Sequence, residues 1–152
     1  MEERASISTV TGGCYGEVRV MRTKRYEIDS PIIAAAGDTA VILLFVVLGR
    51  QAHREASGGA SGMLTVAAPF LVGWFASAGA LGAFRRGAFA GYRSAVVRVV
   101  RSWVAGCAVG LVIRSIVEHR IVPASFALVA FGVNLVLLLA WRLLLVGSMR
   151  VR

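Results

Sequence analysis

Four stretches of this chain are long and apolar enough to cross a lipid bilayer as α-helices. A hydrocarbon core about 30 Å thick needs roughly 20 helical residues at about 1.5 Å per residue. The apolar stretches occupy residues 32–48, 63–84, 98–117 and 121–141. In lipid, a helix is one of the few structures that pairs all its backbone N–H and C=O groups. The sequence therefore predicts an all-α polytopic membrane protein with four transmembrane helices in an up-down bundle.

The composition agrees with a membrane protein. The 152 residues are 57% hydrophobic and 16% charged, and the mean hydropathy is +0.73. A soluble domain of this size lacks the polar surface to cover so much apolar material. The bilayer is thus the expected partner of most of the surface.

The charged residues divide the chain into three parts. Residues 1–30 carry charges of both signs and several glycines without a helical apolar pattern, which predicts a mobile cytoplasmic tail. Residues 31–146 form the transmembrane domain, and 147–152 a short cytoplasmic end. No secretory signal peptide is recognisable, because the first apolar stretch begins only near Ile32. Met21 is an alternative translation start to Met1.

Lysine and arginine counts predict the orientation in the membrane. The N-terminal tail, the second connection and the C-terminal end together carry thirteen, and the other side carries four: Arg50, Arg54, Arg114 and Arg120. Cytoplasmic loops retain positive charge, so both termini are expected in the cytoplasm of a multi-pass protein of the inner cell membrane. This distribution explains the net charge of +9 without nucleic acid, for which no motif is present.

The connection between the second and third stretches mixes arginines with apolar residues. Between residues 85 and 98, four arginines alternate with Phe89, Tyr92, Val96 and Val97. This pattern is typical of a short amphipathic helix on the membrane surface. An ordinary basic loop explains it equally well.

Asp38 is the most informative polar residue because it lies inside the first apolar stretch. A carboxylate facing lipid at mid-depth costs on the order of 2.5–3.5 kcal/mol, so Asp38 should face protein, water or a cation. Arg101 and Arg142 enter the bundle from the same side and are the candidate partners. A structural ion pair is the simpler interpretation, and a proton or ion relay is the alternative. Asn134 is the one strongly polar residue of the fourth stretch.

A second polar group is predicted at the opposite helix ends, and its members are Arg50, His53, Arg54, Glu55, Arg114, Glu118 and His119. This group predicts either an anion-attracting vestibule or arginines that extend to the membrane surface at helix ends. The two histidines lack metal-ligand spacing with a third partner, so no metal site is expected.

Small residues predict where helices approach closely. Gly106 with Gly110, and Gly73 with Ser77, form small-xxx-small pairs in the third and second stretches. Contacts within one chain are the simpler interpretation, and a homodimer interface is the alternative. Cys14 and Cys107 lie far apart and are expected to be unpaired thiols.

Several short motifs together resemble a known family. They are Gly37-Asp38, Gly49-Arg50-Gln51-Ala52-His53, Pro69 to Trp74, Gly110 to Arg114, and Trp141-Arg142. Over residues 33–145 the chain resembles the domain of unknown function 3054 family of prokaryotic membrane proteins. In that family the second motif commonly reads Arg-x-Ser-His, so Ala52 lacks a hydroxyl here. The resemblance implies a four-helix inner-membrane protein and no particular reaction.

Two functional hypotheses follow. The first is a non-enzymatic structural or accessory bundle, either a homo-oligomer or part of a larger membrane complex. The second is a small oligomeric transporter or channel-like protein in which Asp38 and the arginines line a path. No nucleophile elbow, phosphate loop or redox dithiol is present, so neither an enzyme nor a cofactor is predicted. A lipid-modifying enzyme would depend on the group around Arg50 and His53.

Overall fold

The computed structural model describes residues 13–52 and 59–150. These residues form four α-helices and a short 3-10 helix and contain no strand. The helices are α1 (Gly13–Ala52), α2 (Gly59–Ala80), α3 (Tyr92–Val117) and α4 (Ala124–Arg150), and the 3-10 helix is Arg86–Ala88. Each α-helix contains a segment long and apolar enough to cross a membrane: Pro31–Gln51, Gly59–Ala80, Tyr92–Val117 and Ala124–Met149. The predicted all-α membrane fold is confirmed.

The helices pack in chain order around a closed ring. α2 packs against α3, α3 against α4, α4 against α1, and α1 against α2, and the contact between α2 and α3 is the most extensive. Short connections between antiparallel neighbours produce this up-down arrangement. The ring has two ends: the Asp38 end, where α2 ends and α3 begins, and the Arg114 end, where α1 and α3 end and α2 and α4 begin.

Each helix buries one face and exposes the other. Ile42, Phe70, Trp74, Trp103 and Leu138 are fully buried in the common core. Large apolar side chains cover the outside of the ring, among them Leu44, Leu64, Val112, Leu128, Val136 and Leu144. An outward-facing apolar surface of this extent is typical of contact with lipid.

Small residues form the seam between α2 and α3. A Cβ atom added to Gly73 would overlap the backbone carbonyl oxygen of Gly106 and lie 2.9 Å from the backbone N of Gly110. Trp74 and Trp103 pack beside this seam with ring centroids 6.0 Å apart. The predicted small-residue contact is therefore confirmed between helices of one chain.

α2 ends earlier than the predicted span 63–84 because of Gly82. This glycine has a φ of +73°, a left-handed conformation that favours glycine. The N–H of Ala83 donates to the Ala78 carbonyl at 2.8 Å and that of Gly82 to the Gly79 carbonyl at 3.3 Å. This pair of bonds is a Schellman motif, which stops a helix. The chain therefore turns away at the Asp38 end.

The remaining helix boundaries also differ from the predicted ones. α1 begins at Gly13, so residues 13–30, assigned above to a tail without a helical pattern, are helical. α2 begins at Gly59, four residues before the predicted span 63–84. α4 covers Ala124–Arg150 instead of 121–141, because Pro123 cannot continue a helix on its N-terminal side and can start one. The mobility of the N-terminal segment stays a prediction.

The arginine-rich connection is not a separate surface helix. Its described residues form the short 3-10 helix and then, from Tyr92, the first turns of α3. Arg98 Nη1 donates to the Gly82 carbonyl at 2.9 Å and so ties α3 to the end of α2. The amphipathic pattern of residues 92–98 reflects the first two turns of α3.

Candidate functional site

A buried ion pair between α1 and α4 is the main polar feature of the bundle. Arg142 Nε donates to Asp38 Oδ1 at 3.0 Å, and Nη2 donates to Oδ2 at 2.5 Å. The Asp38 side chain is 0% exposed and that of Arg142 2%. A bidentate guanidinium–carboxylate pair matches two parallel donors to two acceptors, so it fixes orientation as well as charge.

The other polar atoms of this pair are also hydrogen-bonded. Trp74 Nε1 donates to Asp38 Oδ2 at 3.1 Å, which adds α2 to the site. Arg142 Nη1 donates to the Ala83 carbonyl at 3.0 Å. Ala83 is the last residue of the Schellman motif and lies beyond the end of α2, so its carbonyl is not used within that helix. The site joins α1, α2 and α4 through one network in which each charged group has its partners.

Aromatic rings and a close helix contact complete the site. The Arg142 guanidinium lies 5.0 Å from the Phe84 ring centroid and 5.6 Å from that of Phe89. The Trp141 indole lies where a Cβ atom on Gly37 would be. Two adjacent residues of α1 therefore contact two adjacent residues of α4. Gly37 leaves space for the Trp141 indole, and the Asp38 carboxylate pairs with the Arg142 guanidinium.

Of the two arginines predicted as partners of Asp38, the structure selects Arg142. The prediction that Arg101 is a partner is wrong. Ser102 and Trp103 occupy the buried face of α3, and their neighbour Arg101 is exposed. Arg101 lines a surface cleft together with Arg98 and Ser94. Helical periodicity explains the difference, since adjacent residues point about 100° apart around the axis.

Two further polar residues of the described chain are fully buried. Asn134 is 0% exposed, and its Nδ2 donates to the Ala130 carbonyl at 3.0 Å. Its Oδ1 atom and the Oγ atom of Ser102 are buried and have no hydrogen-bond partner among the described residues. Asn134 was predicted from the sequence, and Ser102 was not, because one serine among apolar residues is a weak signal.

The second predicted group is present in part at the Arg114 end. Arg114 Nη2 pairs with Glu118 Oε1 at 2.6 Å, and Arg120 Nε pairs with Glu118 Oε2 at 2.9 Å. The Arg114 guanidinium lies 4.7 Å from the Phe126 ring centroid. Arg50 lies beside Gly62, where a Cβ atom would come within 2.7 Å of Nη1. His53, Arg54 and Glu55 lie outside the described residues.

His119 has a backbone role at this end. Its φ is +50°, and its N–H donates to the Ile116 carbonyl at 3.3 Å while that of Arg120 donates to the Ser115 carbonyl at 3.2 Å. These bonds form a Schellman motif that ends α3, with histidine in the left-handed position usually taken by glycine. The side chain of His119 is exposed and outside the Arg114–Glu118–Arg120 network.

The four helices leave a cleft at the Arg114 end, which we call the Arg114 cleft. Its volume is about 430 Å³, and its lining includes Arg50, Arg114, Glu118, Arg120, Phe45, Val46 and Phe126. This volume is within the usual range for small-molecule sites. The bundle thus combines an open cleft with charged and apolar lining at one end and a closed ion pair towards the other.

Comparison with known proteins supports a family assignment. No curated protein and no solved structure is significantly similar to the chain. One family model, described as "Protein of unknown function (DUF3054)", matches residues 35–145. The matched residues include Asp38, Trp74, Arg114 and Arg142, and they cover more than half of the chain. The chain is therefore an integral membrane protein of the DUF3054 family.

Proposed function

We propose that this protein is a non-enzymatic structural or accessory membrane bundle. The observation that carries the proposal is the closed Asp38–Arg142 network, in which both carboxylate oxygens accept hydrogen bonds inside the protein. A buried ion pair contributes little net stability but can select one packing arrangement, because any other arrangement leaves a charge unpaired. Such a pair suits a protein that keeps a fixed shape for its neighbours in the membrane.

The proposed partners are the lipid bilayer and other membrane proteins. The exposed apolar side chains around the ring, such as Leu128 and Leu144, support contact with lipid, with further copies of this chain or with a larger complex.

A transporter or channel-like protein is the second candidate. It is favoured by Ser102 Oγ and Asn134 Oδ1, since buried polar atoms without protein partners are often hydrated. Asn134 lies eight residues from Phe126, at the Arg114 cleft, and eight from Arg142 along α4. Water at Asn134 would therefore extend the cleft towards the ion pair.

Thiol accessibility distinguishes the two candidates. In a protein lacking both native cysteines, the Asn134→Cys variant is expected to resist a membrane-impermeant maleimide in lipid nanodiscs, because the packed bundle excludes the reagent. A Gln51→Cys variant at the exposed end of α1 should react rapidly. A Cys14→Ser variant that retains Cys107, 2% exposed, reports that the bundle is folded, since this thiol should react only after unfolding. Reaction of the Asn134→Cys variant in the folded protein would favour the transporter.

We also propose that the protein lies in the inner cell membrane with both termini in the cytoplasm. The distribution of thirteen basic residues against four supports this orientation. A reporter enzyme that works only in the cytoplasm is expected to be active when fused after Arg152 and inactive when inserted in the 53–58 connection. A reporter enzyme that works only in the periplasm should give the reverse result. Activity of the periplasmic reporter after Arg152 would contradict the orientation.

A further inference from the structure

The Arg114 cleft carries an excess of positive charge on its described lining. Arg50, Arg114 and Arg120 contribute three positive charges, and Glu118 contributes one negative charge. Subtracting one from three leaves a local charge of +2. Both Glu118 oxygens are already used, one by Arg114 and one by Arg120. The carboxylate therefore orients two guanidinium groups and neutralises only part of their charge.

Arg114, which lines this cleft, has an unused donor. Its side chain is 11% exposed, and Nη2 pairs with Glu118. The Nη1 atom is buried and has no hydrogen-bond partner among the described residues. An unsatisfied donor on a charged group is unfavourable, and a rotation of the guanidinium towards the cleft would let an anionic oxygen satisfy it.

Most of the remaining lining is apolar. Phe45, Val46 and Phe126 form the wall of the cleft beside the arginines, and Val66 and Val129 extend it. Arg114 is three residues before the end of α3, and Arg50 two before the end of α1. Because both helix ends correspond to the edge of the candidate spanning segments, we expect the charged part of the cleft at the depth of lipid head groups.

We propose that the Arg114 cleft binds a net-anionic phosphate group, with Arg114 Nη1 as a donor, Arg50 and Arg120 as flanking charges, and Glu118 as the group that limits affinity. The apolar wall accommodates the remainder of the ligand. The same chemistry is offered by the head group of an anionic phospholipid and by soluble phosphate. This inference does not depend on the structural role proposed above.

The test uses the full-length protein in zwitterionic detergent micelles. One arm adds phosphatidylglycerol or phosphatidylcholine with identical acyl chains and measures the bound fraction by native mass spectrometry. The other arm titrates inorganic phosphate by calorimetry. The variants are Arg114→Gln, Glu118→Gln and, as a control that removes the same charge elsewhere, Arg101→Gln, which changes an exposed residue outside this cleft.

Wild-type protein is expected to bind either phosphatidylglycerol or inorganic phosphate about tenfold more tightly than it binds phosphatidylcholine. Arg114→Gln should weaken that binding about tenfold, as expected for one charge-assisted hydrogen bond. Glu118→Gln should strengthen it, since it removes the competing carboxylate, and Arg101→Gln should leave it unchanged. Binding in the lipid arm alone identifies a lipid head group, and binding in the phosphate arm identifies a soluble anion.

Opposite effects of the two cleft variants are essential. If Arg114 and Glu118 only stabilised the end of α3, both substitutions would break the same salt bridge and act in the same direction. Equal shifts for the two variants, an equal loss with Arg101→Gln, or no anion preference in the wild-type protein would each overturn the proposal.

Discussion

Replacing Asp38 with alanine is expected to destabilise the folded bundle by about 3–5 kcal/mol, the usual effect of removing one partner from a buried ion pair. Arg142 would stay 2% exposed with no opposing charge, and Trp74 Nε1 would lose its acceptor. Arg142→Ala should have an effect of similar size. The free energy of unfolding can be followed by circular dichroism during titration with sodium dodecyl sulfate in mixed micelles.

Two further variants separate charge pairing from simple truncation. Arg101→Ala also removes an arginine, but from an exposed position, and should change stability by no more than about 0.5 kcal/mol. The double variant Asp38→Leu/Arg142→Leu should be markedly more stable than either alanine variant, because no charge is left unpaired. A double variant that is less stable than either alanine variant would contradict the charge-pairing explanation.

Gly73→Ala is expected to destabilise the bundle by about 3 kcal/mol, at the upper end of the range for overpacking. The added methyl group would overlap the Gly106 carbonyl, and backbone cannot rotate away as a side chain can. α2 and α3 would have to separate, which also weakens the contact between Trp74 and Trp103. The same detergent titration measures the change.

Gly79→Ala is the matched control on the same helix. No atom lies within 4 Å of a Cβ added at Gly79, so the methyl group has open space. Alanine should stabilise α2 there by about 0.5–1 kcal/mol, since it has the higher helix propensity. An equal loss of stability for both variants would mean that the close contact between Gly73 and Gly106 does not determine the effect.

The helical membrane fold could be predicted from hydropathy because length and apolar content are properties of a single segment. The ends of the helices were harder to predict. The end of α2 depends on the φ of Gly82, and Gly79 and Gly73, on the same helix, look no different in the sequence. Residues 13–30 contain too many charges to give an apolar pattern, yet their backbone continues α1 as a helix.

The candidate site could be predicted as a type of interaction and less well as a set of residues. The cost of a lone carboxylate in lipid requires a partner for Asp38. The sequence places Arg101 and Arg142 at a similar depth in the membrane. They differ in the face of the helix on which each side chain lies, and hydropathy does not indicate that face. The contribution of the Ala83 carbonyl could not be predicted, because every residue has a backbone carbonyl and the role of this one depends on the turn after α2.

The sequence separation within the ion pair has a consequence for biosynthesis. Asp38 and Arg142 are 104 residues apart. At a synthesis rate of about 5–20 residues per second, the ribosome needs roughly 5–20 seconds to make the chain between them. During that interval the first helix has left the ribosome with an acidic group whose counter-charge does not yet exist. The nascent chain must therefore keep α1 near the insertion machinery, or near water, until α4 arrives.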